Sequence, residues 1–180
     1  MRDLWKALSA SCGRTEFAAE RIPTLAELAG ILPPDRGLAL ELKSDRFLEP
    51  AVGRRLGEEL SALGVLGRSV VLSFSRARLD ATRLGAPRLP CGWITLKEAR
   101  PVRGVELVGP WWPLLLANPF YVLLAHRRGQ AVAPLDPSPD SRLWLYRLLG
   151  CDAVLTDDPA ETVRRLGRPV TGDGPPSPGR

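Results

Sequence analysis

The sequence predicts an α/β fold of about six parallel strands with helices packed outside them. Short runs rich in Val, Ile and Leu alternate with segments of helical period. Each strand run is almost continuously apolar, as strands covered on both faces are. Glycine and proline, 17 and 18 of 180 residues, cut the chain into short elements, and the 44% hydrophobic content suffices for one core.

The elements follow in order. LALELK (Leu38–Lys43) is a strand in which Leu38, Leu40 and Leu42 alternate with Ala39, Glu41 and Lys43, so the leucines share one face and the charges the other. PAVGRRLGEELSALGVL (Pro50–Leu66) reads as a helix with Val52, Leu56, Leu60 and Leu63 on its apolar stripe. SVVLSFS (Ser69–Ser75) is a strand, followed by a helix from Arg76 to Leu84, and CGWITL and GVELVG are the next strands. NPFYVLLAHRRG predicts a helix with Asn118 as N-cap, Pro119 in its first turn and Gly129 as its stop. QAVAPL is a strand, SPDSRLWLYRLLG a helix ending at Gly150, CDAVLTDDP a last strand and Pro159–Leu166 a last helix. From Gly167 the Pro/Gly-rich run to Arg180 has too little apolar content to fold, so residues 167–180 are expected to be a disordered tail.

Composition excludes several classes. The net charge of +5 comes from scattered arginines with no nucleic-acid motif or basic stripe, so no nucleic-acid partner is expected. Cys12, Cys91 and Cys151 are far apart and give no metal-ligand spacing, which suits a reducing, cytoplasmic setting. The longest apolar run, Gly109 to Ala125, is broken by three prolines and falls short of a membrane span. A soluble protein is expected.

Parallel βα units leave a doubly wound sheet or a closed barrel. No GxGxxG turn opens a helix, which weighs against a dinucleotide site. A barrel would bring Glu41 and Lys43, at the end of their strand, to the mouth where βα-barrel active sites form.

Four segments in fixed order carry a resemblance: ERIPTLAEL (Glu20–Leu28), LALELK, VVLSFSRARL (Val70–Leu79) and GQAVAPLDPSPDSRLWLYRLLGCDAVLTDDP (Gly129–Pro159). Together they resemble the successive signatures of glycerophosphodiester phosphodiesterases, with Gly150, Asp152, Thr156, Asp157 and Pro159 matching the closing one. The resemblance implies a TIM-like βα barrel over residues 1–166. It also implies a phosphoric diester hydrolase of lipid metabolism, releasing glycerol 3-phosphate and an alcohol from a glycerophosphodiester with a divalent cation, calcium or magnesium. Glu41 matches the metal ligand of the third barrel strand, and Lys43 the lysine that approaches the phosphate. Ser73 and Phe74 match the family's Ser-Phe, and Leu135 stands where the family usually has a tryptophan in the substrate wall.

The family's His-Arg-Gly strand, Glu-x-Asp strand and His-Asp pair do not occur in this sequence. The expectation is therefore an incomplete barrel lacking its opening strands, with weak metal binding, no assigned catalytic residue and exposed strand edges open to self-association. The chain alone is expected to be inactive. The alternatives are a non-catalytic barrel remnant or assembly partner, and opening strands encoded upstream of Met1.

Plainer readings stay open for each residue. Glu41 and Lys43 could form a solvated ion pair on an edge strand, Ser73 could be a cap and Phe74 core. Trp111 and Trp112 could line an apolar wall, with helix-covering core the favoured reading, and His126 could answer a helix dipole. Asp136, Asp140, Thr156, Asp157 and Asp158 could cap loops and helices.

Overall fold

The computed structural model describes residues 21–167. The readings made for residues 1–20, with Cys12, and for the tail from Arg168 lie outside the described residues. The chain divides into two compact units, Met1–Pro34 and Asp35–Arg180.

In the first unit α1, Leu25–Ile31, starts from a reciprocal cap. Thr24 Oγ1 accepts from the Glu27 amide at 3.3 Å, and Glu27 Oε2 accepts from the Thr24 amide at 2.8 Å. The Arg21 guanidinium on Glu27, with the Thr24 donors, pulls this carboxyl down to about 2.

The second unit is a five-stranded parallel sheet in sequential order: β1 Leu38–Glu41, β2 Ser69–Ser73, β3 Cys91–Thr95, β4 Leu107–Pro110 and β5 Ala131–Val132. Its connecting helices are α2 Pro50–Ala62, α3 Arg76–Gly85, α4 Pro113–Ala117 and α5 Tyr121–His126; α6 Leu143–Leu149 and α7 Pro159–Arg165 follow β5. Register separates the two faces. Leu40, Val71 and Cys91 share one face, and Trp93 and Val108 continue it to Val132. Val71, Cys91, Val108 and Val132 are fully buried there. The opposite face carries Glu41 and Leu72 in register, then Gly92 beside Leu107 and Ala131.

Helices α2 and α3 meet through backbone rather than side chains. A Cβ on Gly85 would lie 1.9 Å from the Pro50 carbonyl oxygen, and one on Gly53 2.7 Å from Thr82 Cα. The buried centre of α2 is accordingly Gly53, Gly57 and Leu60, with Val52 and Leu56 at its half-buried margins. The apolar stripe alone placed the contact slightly off this axis.

The predicted sixth strand is reduced to one parallel bridge, Leu135 to Leu155. The cause is a shortage of donors on β5. Beyond Val132 the chain still pairs with β4, through Ala133 N–H to Val108 O at 3.0 Å and Leu135 N–H to Pro110 O at 2.8 Å. On its other side the Val132 amide is taken by the Asp152 carboxylate at 2.7 Å, and Pro134 has no amide hydrogen. What remains is the Val132 carbonyl accepting from the Asp152 and Ala153 amides at 3.0 and 3.3 Å, then Leu155 N–H to Pro134 O and Asp136 N–H to Leu155 O, both 2.9 Å.

Three boundaries differ from expectation. The helix expected from Asn118 begins at Tyr121, because Asn118 turns its Oδ1 to the Phe120 amide and its Nδ2 to the Ala99 carbonyl. The helix expected from Ser138 begins at Leu143, because Arg142 is turned onto Asp136. Strand β4 begins at Leu107, after a turn in which Gly104 takes a positive φ of 77°.

Candidate functional site

Small polar side chains turn the chain at the carboxyl end of the sheet. Ser44 Oγ accepts from the Arg46 amide, Ser73 Oγ from the Ser75 amide, and Thr95 Oγ1 from the Lys97 and Glu98 amides. Asp136 Oδ1 does the same for Ser138, and Thr156 Oγ1 for Asp158. Such side chains imitate a backbone turn. The sequence reading gave Asp136 and Thr156 as caps; it passed over Thr95.

Glu41 ends β1 and Lys43 follows two residues later, so alternation puts both on the sheet face away from the leucines. Lys43 Nζ lies 3.3 Å from Glu41 Oε2, with the two side chains 78% and 36% exposed. At that exposure the pair contributes roughly 0–1 kcal/mol, so its ammonium is free to turn to a ligand. The intervening residue is fixed. The Leu42 amide donates to Leu72 O at 2.7 Å, while its carbonyl accepts from Ser73 Oγ at 3.0 Å and Arg78 Nη1 at 3.3 Å.

The other expected residues divide. Ser73 is fully buried and spends its hydroxyl on Leu42 and Ser75, which makes it a tether. Phe74, one residue past β2, is 46% exposed. Leu135 is half-buried between Trp111 and Leu155, bridged in parallel to both. By alternation Phe74 follows Leu72, Leu96 follows Ile94 and Trp111 follows Gly109 on the face that carries Glu41. Leu96 and Trp111 are exposed there beside Phe74 and Leu135. In the sequence Leu96 reads only as the end of the strand CGWITL, and for Trp111 helix cover is preferred to an apolar wall.

Behind Leu135 the Asp136 carboxylate is buried. Burial pushes its pKa up, but hydrogen bonds from Arg142 and Tyr146 outweigh that and hold it below the usual carboxylate range. Arg142 also lies over the Trp112 ring at 4.4 Å. Trp112 therefore supports a buried ion pair, while its neighbour Trp111 faces the mouth.

The described residues do not fit a divalent cation by themselves. The group beside the Glu41 carboxylate is an ammonium, and among the described residues no three His, Cys, Asp or Glu side chains gather into a ligand set. His126 lies at the end of α5 and pairs with Asp152 at 2.9 Å. A separate groove of about 420 Å³ lies between α6 and α7, lined by Tyr146, Cys151, Val154, Thr162 and Leu166 among others. Burial pushes the Cys151 thiol up to about 12, so it stays protonated at neutral pH.

Among the described residues no helix is long and apolar enough to cross a membrane. No protein-family model and no curated protein sequence matches the chain. Solved structures do. A glycerophosphodiester phosphodiesterase from Parabacteroides distasonis aligns with TM-score 0.60 and 18% identity, over 73% of this chain and 57% of its own. A protein from Galdieria sulphuraria named as the same enzyme aligns with TM-score 0.70 and 17% identity, over 83% and 66%. One from Silicibacter pomeroyi named as a glycerophosphoryl diester phosphodiesterase aligns with TM-score 0.54 and 27% identity, over 72% and 50%. The chain thus spans between half and two thirds of the length of these three proteins. Its parallel strands and outer helices form part of the barrel fold of glycerophosphodiester phosphodiesterases.

Proposed function

We propose that this chain is a glycerophosphodiester-phosphodiesterase-like protein that holds a glycerophosphodiester-type molecule at the carboxyl end of its sheet, and that residues 1–180 alone do not hydrolyse it. The observation that carries the reading is Lys43, 78% exposed, on the same face as the exposed Phe74, Leu96 and Trp111. An ammonium suits a phosphate, and an apolar wall suits the carbon skeleton beside it. The inactivity rests on chemistry. The sequence holds one histidine, and losing general acid–base help costs roughly 10²–10⁴-fold.

Calorimetric titration with glycerophosphocholine and with glycerol 3-phosphate tests this, alongside a hydrolysis assay in calcium and in magnesium. Expected are weak binding of both, a loss of about fivefold or more in Lys43→Met, and no turnover. Absence of binding would overturn the site. Metal-dependent hydrolysis abolished by Glu41→Ala would overturn the inactivity.

One observation favours assembly as a second reading. Among the described residues no strand pairs with the outer edge of β1, and an unpaired edge is a template for another strand. Concentration-dependent association in sedimentation, weakened by Ala39→Pro, is the expected sign.

A further inference from the structure

The outer surface of α5 and α6 is not what a helix layer facing water requires. Phe120 at the start of α5 is 66% exposed and Leu123, one turn on, 47%. On α6, Trp144 and Leu148, an i,i+4 pair, are 65% and 74% exposed. His126 at the end of α5 meets Asp152, just past α6, at 2.9 Å, which ties the carboxyl end of α5 to the segment that leaves α6. Two exposed arginines lie nearby: Arg127 just past α5, and Arg147 on α6, whose Nη2 also donates to the Leu166 carbonyl at 3.1 Å. The carboxylate beside them, Asp152, is taken up by His126 and the Val132 amide.

From this we infer that the α5–α6 face docks on an anionic lipid surface. Helix dipoles explain cations at helix ends, but not a phenyl, an indole and two leucines left in water beside them. Aromatic rings with aliphatic neighbours and arginines are the composition of a surface that sinks shallowly into lipid headgroups. A second copy of the chain is the weaker occupant, because a two-fold contact would press the same arginines together. This surface lies on the helix layer and is independent of the proposed ligand site at the mouth.

The test is flotation of the full chain with vesicles of phosphatidylcholine, and of phosphatidylcholine mixed with phosphatidylglycerol. Binding is expected only to the mixed vesicles, weakening as salt rises. The double variant Trp144→Ser, Leu148→Ser should lower partitioning at least about tenfold, and Arg127→Glu at least about fivefold. All three positions are exposed, so the variants should melt as the parent does. Leu84→Ser, on α3 at 78% exposure, is the control and should bind unchanged. Equal binding to both vesicle types, no binding to either, or binding unaffected by the double variant would overturn the proposal. A concentration-dependent dimer abolished by the double variant, without vesicle binding, would overturn it in favour of a second copy.

Discussion

Arg142 grips Asp136 at two points, Nε to Oδ2 at 2.7 Å and Nη2 to Oδ1 at 2.8 Å. Tyr146 donates its hydroxyl to the same carboxylate. Removing one member of such a pair leaves a buried charge unanswered. Arg142→Met should therefore destabilise the fold by about 3 kcal/mol, read as a lower urea midpoint at neutral pH.

The same pair sets an acid limb. Because the folded pKa of Asp136 is depressed, its contribution is complete above the unfolded value of about 3.9 and is lost as pH falls through the lower folded value. Asp136→Asn should be less stable at neutral pH and lose less on acidification. Acid titration of the unfolding free energy of both proteins measures this, and parallel curves would refute it.

The seam between α2 and α3 predicts an unusual glycine effect. Gly→Ala inside a helix ordinarily gains up to about 1 kcal/mol. At Gly85 the new methyl would meet backbone, Pro50 O at 1.9 Å and Arg54 N at 2.7 Å, which no rotamer relieves. Gly85→Ala should destabilise by about 1–3 kcal/mol or more. Gly30→Ala, with nothing within 4 Å, should be neutral or slightly stabilising in the same denaturation series.

Asp152 should protect a single amide. Its Oδ2 accepts from Val132 N–H at 2.7 Å, and a hydrogen bond to a charged acceptor is worth about 1.5–3 kcal/mol. Asp152→Ala should speed hydrogen exchange at Val132 by roughly ten- to a hundredfold, with little change at Val108. His126→Ala should have the smaller effect, since it leaves that acceptor in place.

Cation addition should do little. With Lys43 as the group beside Glu41, millimolar calcium or magnesium should leave the melting temperature of residues 1–180 unchanged. A clear rise that disappears in Glu41→Ala would mean that the carboxylate finds further oxygen ligands.

The parallel architecture was legible because its signal is repeated: several apolar runs between helical segments cannot all mislead. The alternation in LALELK likewise placed Glu41 and Lys43 on one face. What failed to show were effects of contact between distant segments. The loss of the sixth strand depends on Asp152 reaching Val132, 20 residues away. The late start of α6 depends on Arg142 preferring Asp136 to a helical turn. Ser73 reads both as a motif residue and as a cap, and its tie to Leu42 could not be foreseen, since nothing in the Ser-Phe pair says which side chain turns inward. Leu96 and Trp111 belong with Phe74 only through strand register, which one strand alone does not encode.

That inward-turned Ser73 has a bearing on how this molecule could vary. Its hydroxyl donates to the Leu42 carbonyl and receives the Ser75 amide, so one oxygen joins the exits of β1 and β2 to the start of α3. Loops are where chains lengthen, shorten and drift. Here the position of Lys43 depends on that joint, which Arg78 extends by bonding both the Leu42 carbonyl and the Asp45 carboxylate, so a change in the following turn that spares Asp45 should leave the charged pair in place.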